Sequence, residues 1–494
     1  MSLLLRSGTV LIHDADDKIV PRHADVLIEG DRISKIEATI SPPPSCKVID
    51  CTNKIVSPGF VDTHHHVWQS PLKGLFGDMA LLPYLAMTHA ASLEFKPQDM
   101  FWANLAGSLE AIDAGTTTTL DHAHMNWSQE HSGAAISGSL SSGIRSIFAY
   151  TPVSIVEAAK PEIKFSDEAL PDWVLNTFEQ LATSKALTDP QARVHLGFGW
   201  DFYFLPEEDI QKVFHKVRSL GSKVITSHFI RHLLNGDGES LVAKLKSYGL
   251  LLDDMIFSHA GGATAEDIQL IREANCFVSA TPNTEEAMQV GPTVPFREDL
   301  PGIDQICSLG VDCHSATTSS LVNEMRLALQ MARGRDSKHH IKLGRQPSEL
   351  SRKTREIFNM GTIQGARALR MAQNIGSIAI GKKADLVVFD ALTPGMYCAA
   401  QQDPVLAIVL HSSIRDIDTV LVDGHVRKLN GKLLPVKVTE WQTSEKNFVE
   451  ADRELGWTEV MERVLDMQSR FVANMSDYNL SELESTIRRN WGVK

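Results

Sequence analysis

Short apolar runs separated by turn residues fill the first 57 positions. Segments 9–12, 24–28, 32–36 and 47–49 alternate as strands do, with Glu29-Gly30-Asp31 as a hairpin turn and Pro42-Pro43-Pro44 as a loop. The same style returns at 384–389 and 418–426. The two ends of the chain therefore predict one β-sandwich, built from 1–57 and 376–436, that flanks a central domain. Between them the pattern changes to strand followed by helix. The runs 55–66, 116–122, 144–149, 193–198, 223–228, 255–259, 276–280 and 306–312 read as eight apolar strands, most separated by amphipathic stretches of helical length. Alternation of this kind implies a parallel sheet with crossover helices, and eight units favour an α/β fold with a closed (β/α)8 TIM-like barrel over 58–375. An open doubly wound sheet competes, but no Gly-rich phosphate turn follows an early strand. The last segment, 437–494, reads as a charged helical extension, with Phe448, Leu455, Val460, Val464, Leu465 and Phe471 near helical spacing. It is expected either to cap the barrel or to clasp a partner subunit.

Composition narrows the classes. The chain has 494 residues, 43% hydrophobic and 22% charged, with a net charge of -13. That size holds a large domain plus a smaller one. The acidic balance argues against nucleic-acid or anionic-membrane partners and leaves a small-molecule substrate. Six scattered cysteines without a CxxC pair read as reduced thiols. With no signal-peptide core and no window of membrane-spanning length, a cytoplasmic location is expected.

The chemistry gathers at strand ends, where a (β/α)8 barrel places its reactive groups. The first strand runs into Pro58-Gly59-Phe60-Val61-Asp62-Thr63-His64-His65-His66. Alternation sends His64 and His66 to one side and His65 to the other. Strand five ends in His228, strand six in His259 and strand eight in Asp312. Any one of these alone is more often a core or capping residue than a ligand. Their convergence predicts one divalent metal, zinc by ligand type, with iron, cobalt or manganese as alternatives. Such an ion lowers the pKa of bound water towards ~7, which supplies hydroxide for attack on an sp² carbon. Asp312 is placed to hold that water and take its proton, and His259 to orient it or to polarise a carbonyl. A bridged pair of ions would usually need a further anionic ligand at strand four, such as a modified lysine, and His195-Leu196-Gly197-Phe198 offers no lysine.

These residues carry a resemblance. PGFVDTHHH at 58–66, Gly115-Thr116-Thr117-Thr118, His228, Ser258-His259-Ala260, Gly310-Val311-Asp312, Gly365-Ala366-Arg367-Ala368-Leu369, Gly376-Ser377-Ile378 and Gly381-Lys382-Lys383-Ala384-Asp385-Leu386 resemble the amidohydrolase superfamily. The match is to the branch of cytosine, guanine and methylthioadenosine deaminases and triazine hydrolases, over roughly 1–435. The resemblance implies a metal-dependent hydrolase of non-peptide C–N bonds, with His64, His66, His228 and Asp312 as metal ligands and His259 beside the hydroxide. It also implies a Gln69 contact to the substrate ring, a lid over 73–84 and a homodimer. One departure stands out. Deaminases of this branch carry a glutamate three residues after the strand-five histidine, and here that place holds Arg231. Arginine cannot relay a proton, but it can grip a carboxylate with two prongs. Glu239, Glu285 and Glu286 are the loop carboxylates available to substitute.

Two classes of function follow. The first is hydrolysis at an N-heterocycle or cyclic amide, by deamination or by ring opening. Its variant is a lactone or N-acyl acid hydrolase in which Arg231 binds the acid. The second is a catalytically silent scaffold subunit, which a missing ligand would mark, yet every ligand type is present. A nucleic-acid deaminase fails because the HxE…PCxxC signature is absent from the sequence.

Overall fold

The computed structural model describes residues 2–158, 164–231, 239–442, 444–445 and 447–491. Eight parallel strands form the central sheet. They are β1 (Phe60–His65), β2 (Thr116–Ala123), β3 (Arg145–Tyr150), β4 (Val194–Gly199), β5 (Ile225–Ile230), β6 (Met255–Gly261), β7 (Phe277–Ala280) and β8 (Cys307–Leu309). Pairing runs in chain order. The ring closes where the Asp312 N–H donates to the His64 carbonyl at 2.8 Å and the His66 N–H donates to the Asp312 carbonyl at 2.8 Å. Closure needs a very close approach: a Cβ at Gly310 would lie 2.6 Å from the His64 carbonyl oxygen. Nearly every strand residue is buried, as parallel strands covered on both faces require.

The expected first strand, a single run from 55 to 66, divides in two. Lys54–Pro58 belongs to the terminal sheet and Phe60–His65 to the barrel. Gly59 makes the change, because a Cβ there would sit 2.1 Å from the Thr117 hydroxyl oxygen. The terminal sheet has nine strands drawn from both ends of the chain. Leu386–Asp390 lies antiparallel on Lys54–Pro58, with Val388 opposite Val56, and so joins the two ends. Leu5, Val10, Val26, Val56, Val388 and Leu421 share one buried cluster, which makes the composite unit a second core.

The C-terminal segment differs from the continuous helical extension expected over 437–494. Val436–Gln442 and Asn447–Leu455 pair as an antiparallel hairpin, and helix begins only at Trp457. Val436 and Val438 are buried on either side of exposed Lys437, which is the alternation of a strand, and the Trp441 and Phe448 rings lie 4.8 Å apart across the pair. The helical spacing of Phe448 and Leu455 was coincidental. Helices Trp457–Met475 and Leu480–Trp491 then pack on the segment that follows β1. Gln468 Nε2 donates to the carbonyls of Pro71 at 2.8 Å and Lys73 at 2.9 Å. Leu483 and Ile487 pack with Ala86 and Ala90 of helix Leu81–Ser92. The tail thus caps the barrel and braces the stretch expected to act as a lid. Among the described residues, no helix is long and apolar enough to cross a membrane.

Candidate active site

The structure brings His64, His66, His228, His259 and Asp312 together at the C-terminal mouth of the barrel. Asp312 Oδ1 lies 3.4 Å from His64 Nε2 and 3.2 Å from His66 Nε2. His228 Nε2 lies 3.3 Å from His66 Nε2. His259 stands beside them, its ring centroid 5.1 Å from that of His64 and 5.6 Å from that of His228. His65 points away, as alternation predicts, and pairs with Asp62 at 2.8 Å and with His314 at 3.0 Å.

The far nitrogen of each imidazole is held. His66 Nδ1 faces the His122 carbonyl at 2.8 Å, and His228 Nδ1 faces Asp201 Oδ2 at 2.8 Å. Carbonyls and carboxylates only accept, so both Nδ1 atoms carry a proton, and in the neutral rings both Nε2 atoms present lone pairs to each other. His64 Nδ1 bonds Ser258 at 2.7 Å, while its buried Nε2 has no hydrogen-bond partner among the described residues. Lone pairs crowded at 3.3 Å beside a carboxylate repel unless a cation lies between them. The residues therefore fit a divalent metal held by His64, His66, His228 and Asp312, with His259 alongside.

Electrostatics agree for Asp312 and His64; at His228 burial lowers the imidazole but the Asp201 carboxylate outweighs it and raises the ring above its ordinary value, so a proton competes with a cation there. Burial pushes the Asp312 carboxyl up, but the His64 and His66 imidazoles that face it and the nearby His259 outweigh burial and hold the group well below the usual carboxylate range. Burial lowers His64 well below its ordinary value, so the ring is neutral and able to ligate. Strain marks the same two loops: His259 has φ 72° and Asp312 φ 70°, left-handed values that non-glycine residues rarely adopt. Such backbone persists where the surroundings over-determine it, and here it aims two side chains at one point.

The other expected site residues fall in two places. Gln69 lies on the turn Val67–Leu72, buried, and exchanges hydrogen bonds with the Tyr84 hydroxyl at 2.8 and 3.0 Å. Burial, with Cys313 and Asp312 nearby, raises the Tyr84 phenol well above its ordinary value and keeps it protonated. Arg231 turns instead to the helix after β6: its Nη2 donates to Asp267 Oδ2 at 2.5 Å. Of the loop carboxylates, Glu285 is buried behind His259, with Oε1 3.7 Å from Nδ1. Glu286 accepts from the Thr293 N–H at 3.2 Å.

Sequence reading missed His122, His124 and Asp201. His122 closes β2 and lies 3.3 Å from Asp201, and the His124 ring lies 4.2 Å from that of His66. Asp201 follows β4 and grips His228 twice, accepting from its N–H at 2.9 Å as well as from its ring. His122, one residue before the end of β2, offered the same signal as the other strand-end histidines, whereas Asp201 lies two residues beyond β4. Outer carboxylates of this kind fix ring orientation and raise ligand basicity, and their loss typically weakens metal binding about 10–100-fold. Asp201→Asn is therefore expected to raise the metal dissociation constant by roughly that factor in a competitive chelator titration. Wild-type affinity would remove Asp201 from the site's support.

Comparison with known proteins agrees with this geometry. The model of the amidohydrolase family matches residues 55–427. A 5-methylthioadenosine/S-adenosylhomocysteine deaminase of Thermococcus kodakarensis is 29% identical over 435 residues, spanning 86% of this chain and 94% of the relative. A 5'-deoxyadenosine deaminase of Methanobrevibacter smithii is 27% identical over 468 residues, spanning 91% of this chain and 99% of the relative. Among solved structures, a zinc-bound adenosine deaminase from Xanthomonas campestris superposes with a TM-score of 0.76 at 17% identity, covering 95% of this chain and 98% of its own. A zinc complex of the atrazine chlorohydrolase of Arthrobacter aurescens gives 0.74 at 21%, covering 95% and 100%. The strand-end histidines, the closing aspartate and the family match over most of the barrel and the composite sheet lead to one assignment: this chain belongs to the amidohydrolase family and is a hydrolase of carbon–nitrogen bonds other than peptide bonds.

Proposed function

We propose that the enzyme deaminates an amino-substituted nitrogen heterocycle of the adenine-nucleoside type, with zinc held by His64, His66, His228 and Asp312. The observation that supports this reading is the convergence of the His64 and His66 Nε2 atoms on Asp312, with His228 Nε2 3.3 Å from that of His66 and His259 alongside as a further imidazole. The metal, when bound, makes water acidic enough to attack near neutral pH and polarises the substrate. Asp312, ionised and 3.2–3.4 Å from two of the rings, accepts the proton of the attacking water. It then returns the proton to the departing nitrogen. A C–O bond forms as the electron pair of the ring C=N bond moves onto the ring nitrogen. The C–N bond to the amine breaks, ammonia leaves with the proton from Asp312, and the water's second proton ends on the ring nitrogen, so the product is a cyclic amide. Gln69 and Tyr84, paired beside Asp312 and Cys313, supply hydrogen-bonding groups for the ring's polar edge. Relatives named as deaminases of methylthioadenosine and 5'-deoxyadenosine support the heterocycle class.

A second reading, opening of a cyclic amide or lactone with Arg231 on the substrate's acid group, is favoured by the arginine at the place of the usual glutamate. The Arg231–Asp267 ion pair weighs against it. Incubation of the zinc-loaded enzyme with aminated purines, pyrimidines, triazines, cyclic amides and lactones in ¹⁸O water decides between them. Replacement of an amine by labelled oxygen is the expected mass change. Gain of a whole labelled water by an amide or lactone would overturn deamination in favour of the second reading.

A further inference from the structure

The loop after β7 carries a buried chain that ends on His259. His259 Nδ1 lies 2.9 Å from Thr281 Oγ1, and Thr281 Oγ1 lies 3.5 Å from Glu285 Oε1. Glu285 Oε1 also accepts the Thr281 N–H at 2.8 Å and stands 3.7 Å from His259 Nδ1 itself. All three residues are buried. Glu285 Oε2 is buried as well and has no hydrogen-bond partner among the described residues. The turn is pinned from outside by Glu324, which accepts from the Asn283 N–H at 2.9 Å and from its Nδ2 at 2.6 Å. A carboxylate kept at that depth with one oxygen unpaired is costly unless it serves a neighbour.

We infer that Glu285 is a positioning residue that locks the tautomer of His259 through Thr281. A hydroxyl both donates and accepts, so Thr281 alone would let the His259 proton sit on either ring nitrogen. An ionised carboxylate only accepts. Glu285 therefore draws the Thr281 hydroxyl proton towards itself and leaves Oγ1 as an acceptor for His259 Nδ1–H. Its charge at 3.7 Å favours the same placement directly. The Nε2 lone pair then faces the cluster of His64 and His228, where it accepts a hydrogen bond from the attacking water and aims the oxygen at the substrate carbon. The opposite tautomer would present an N–H there and hold the oxygen by a lone pair needed for attack. Orientation of a ring by a buried carboxylate behind it is a general device, and loss of that carboxylate leaves the geometry in place with the wrong tautomer. This role builds on the hydrolytic reading of the site but not on the identity of the substrate.

The test combines turnover with a spectroscopic signature on the zinc-loaded, full-length enzyme labelled with ¹⁵N-histidine. Wild type is expected to show His259 with a protonated Nδ1 and a bare Nε2. Glu285→Gln is expected to lose that pattern and to lower kcat by roughly 10–100-fold, with KM within about twofold and metal content unchanged. Glu285→Asp is expected to recover part of both. Thr281→Val removes the hydroxyl but keeps the N–H bond to Glu285, and it gives the same readout should the glutamine variant fail to fold. A Glu285→Gln or Thr281→Val enzyme with the wild-type nitrogen shifts and kcat would overturn the assignment. The nitrogen shifts are read without substrate, so a failure of the deamination reading leaves this result standing.

Discussion

Asp312→Asn is expected to lower kcat/KM by roughly 10²–10⁴-fold while leaving the fold in place. The substitution is nearly isosteric, and asparagine tolerates the φ of 70° at this position at least as well as aspartate does. The main-chain bonds that close the barrel through residue 312 are untouched, since they use its N–H and carbonyl. What disappears is the negative charge that faces His64 and His66, and with it the group proposed to accept the water's proton. The amide also lacks the charge with which Asp312 would bind metal in the proposed site, so metal content should fall with activity. Two measurements separate the causes. Metal analysis reports occupancy, and kcat at saturating zinc reports the proton transfer alone. An Asp312→Asn enzyme with wild-type turnover at saturating zinc would show that another group takes the proton.

The parts of this site that could be read from the sequence are those in which residue type and strand period agree. His64 and His66 share a face because strands alternate, and His228, His259 and Asp312 end apolar runs that have the length of barrel strands. The second layer was hidden for a physical reason. Whether Asp201 supports His228, or Glu285 supports His259, depends on which ring nitrogen each carboxylate meets, and that is a matter of a few ångströms between different loops. Arg231 shows the same limit in reverse. Its place in the chain suggested a grip on substrate, yet Asp267, 36 residues further on, holds its guanidinium. The tail was misread as helix up to Trp457 because Phe448 and Leu455 happened to fall at helical spacing. Cross-strand packing of Trp441 on Phe448 decided otherwise.

The GKKADLVVFD segment near the C-terminus contributes no side chain to the metal cluster, and its Asp385 has a structural task. Arg145, at the start of β3, donates from Nε to Asp385 Oδ2 at 2.9 Å and from Nη2 to Asp385 Oδ1 at 3.2 Å, and it also bonds Asp423. All three side chains are buried where the composite sheet meets the base of the barrel. Asp385 Oδ1 further accepts the Asp423 N–H at 2.8 Å, which fixes the turn at Asp423-Gly424. A buried cation between two carboxylates adds little beyond what apolar packing would, but removing it leaves the Asp385 charge uncompensated, while Asp423 keeps only Lys383, at 3.4 Å, among the described residues. Arg145→Met is therefore expected to cost about 3–5 kcal/mol, a large share of the stability of an ordinary domain. It should be read as a fall in the calorimetric midpoint with the zinc site still loaded. Neutralising the carboxylates as well, in Arg145→Met/Asp385→Asn/Asp423→Asn, should recover much of that loss, because the asparagine oxygens still accept, no bare carboxylate remains, and Lys383, which also faces Asp423, keeps its pair with Asp31. A triple variant no more stable than Arg145→Met would mean that the forked hydrogen bonds of the guanidinium, and not the neutralisation of buried charge, join the sheet to the barrel.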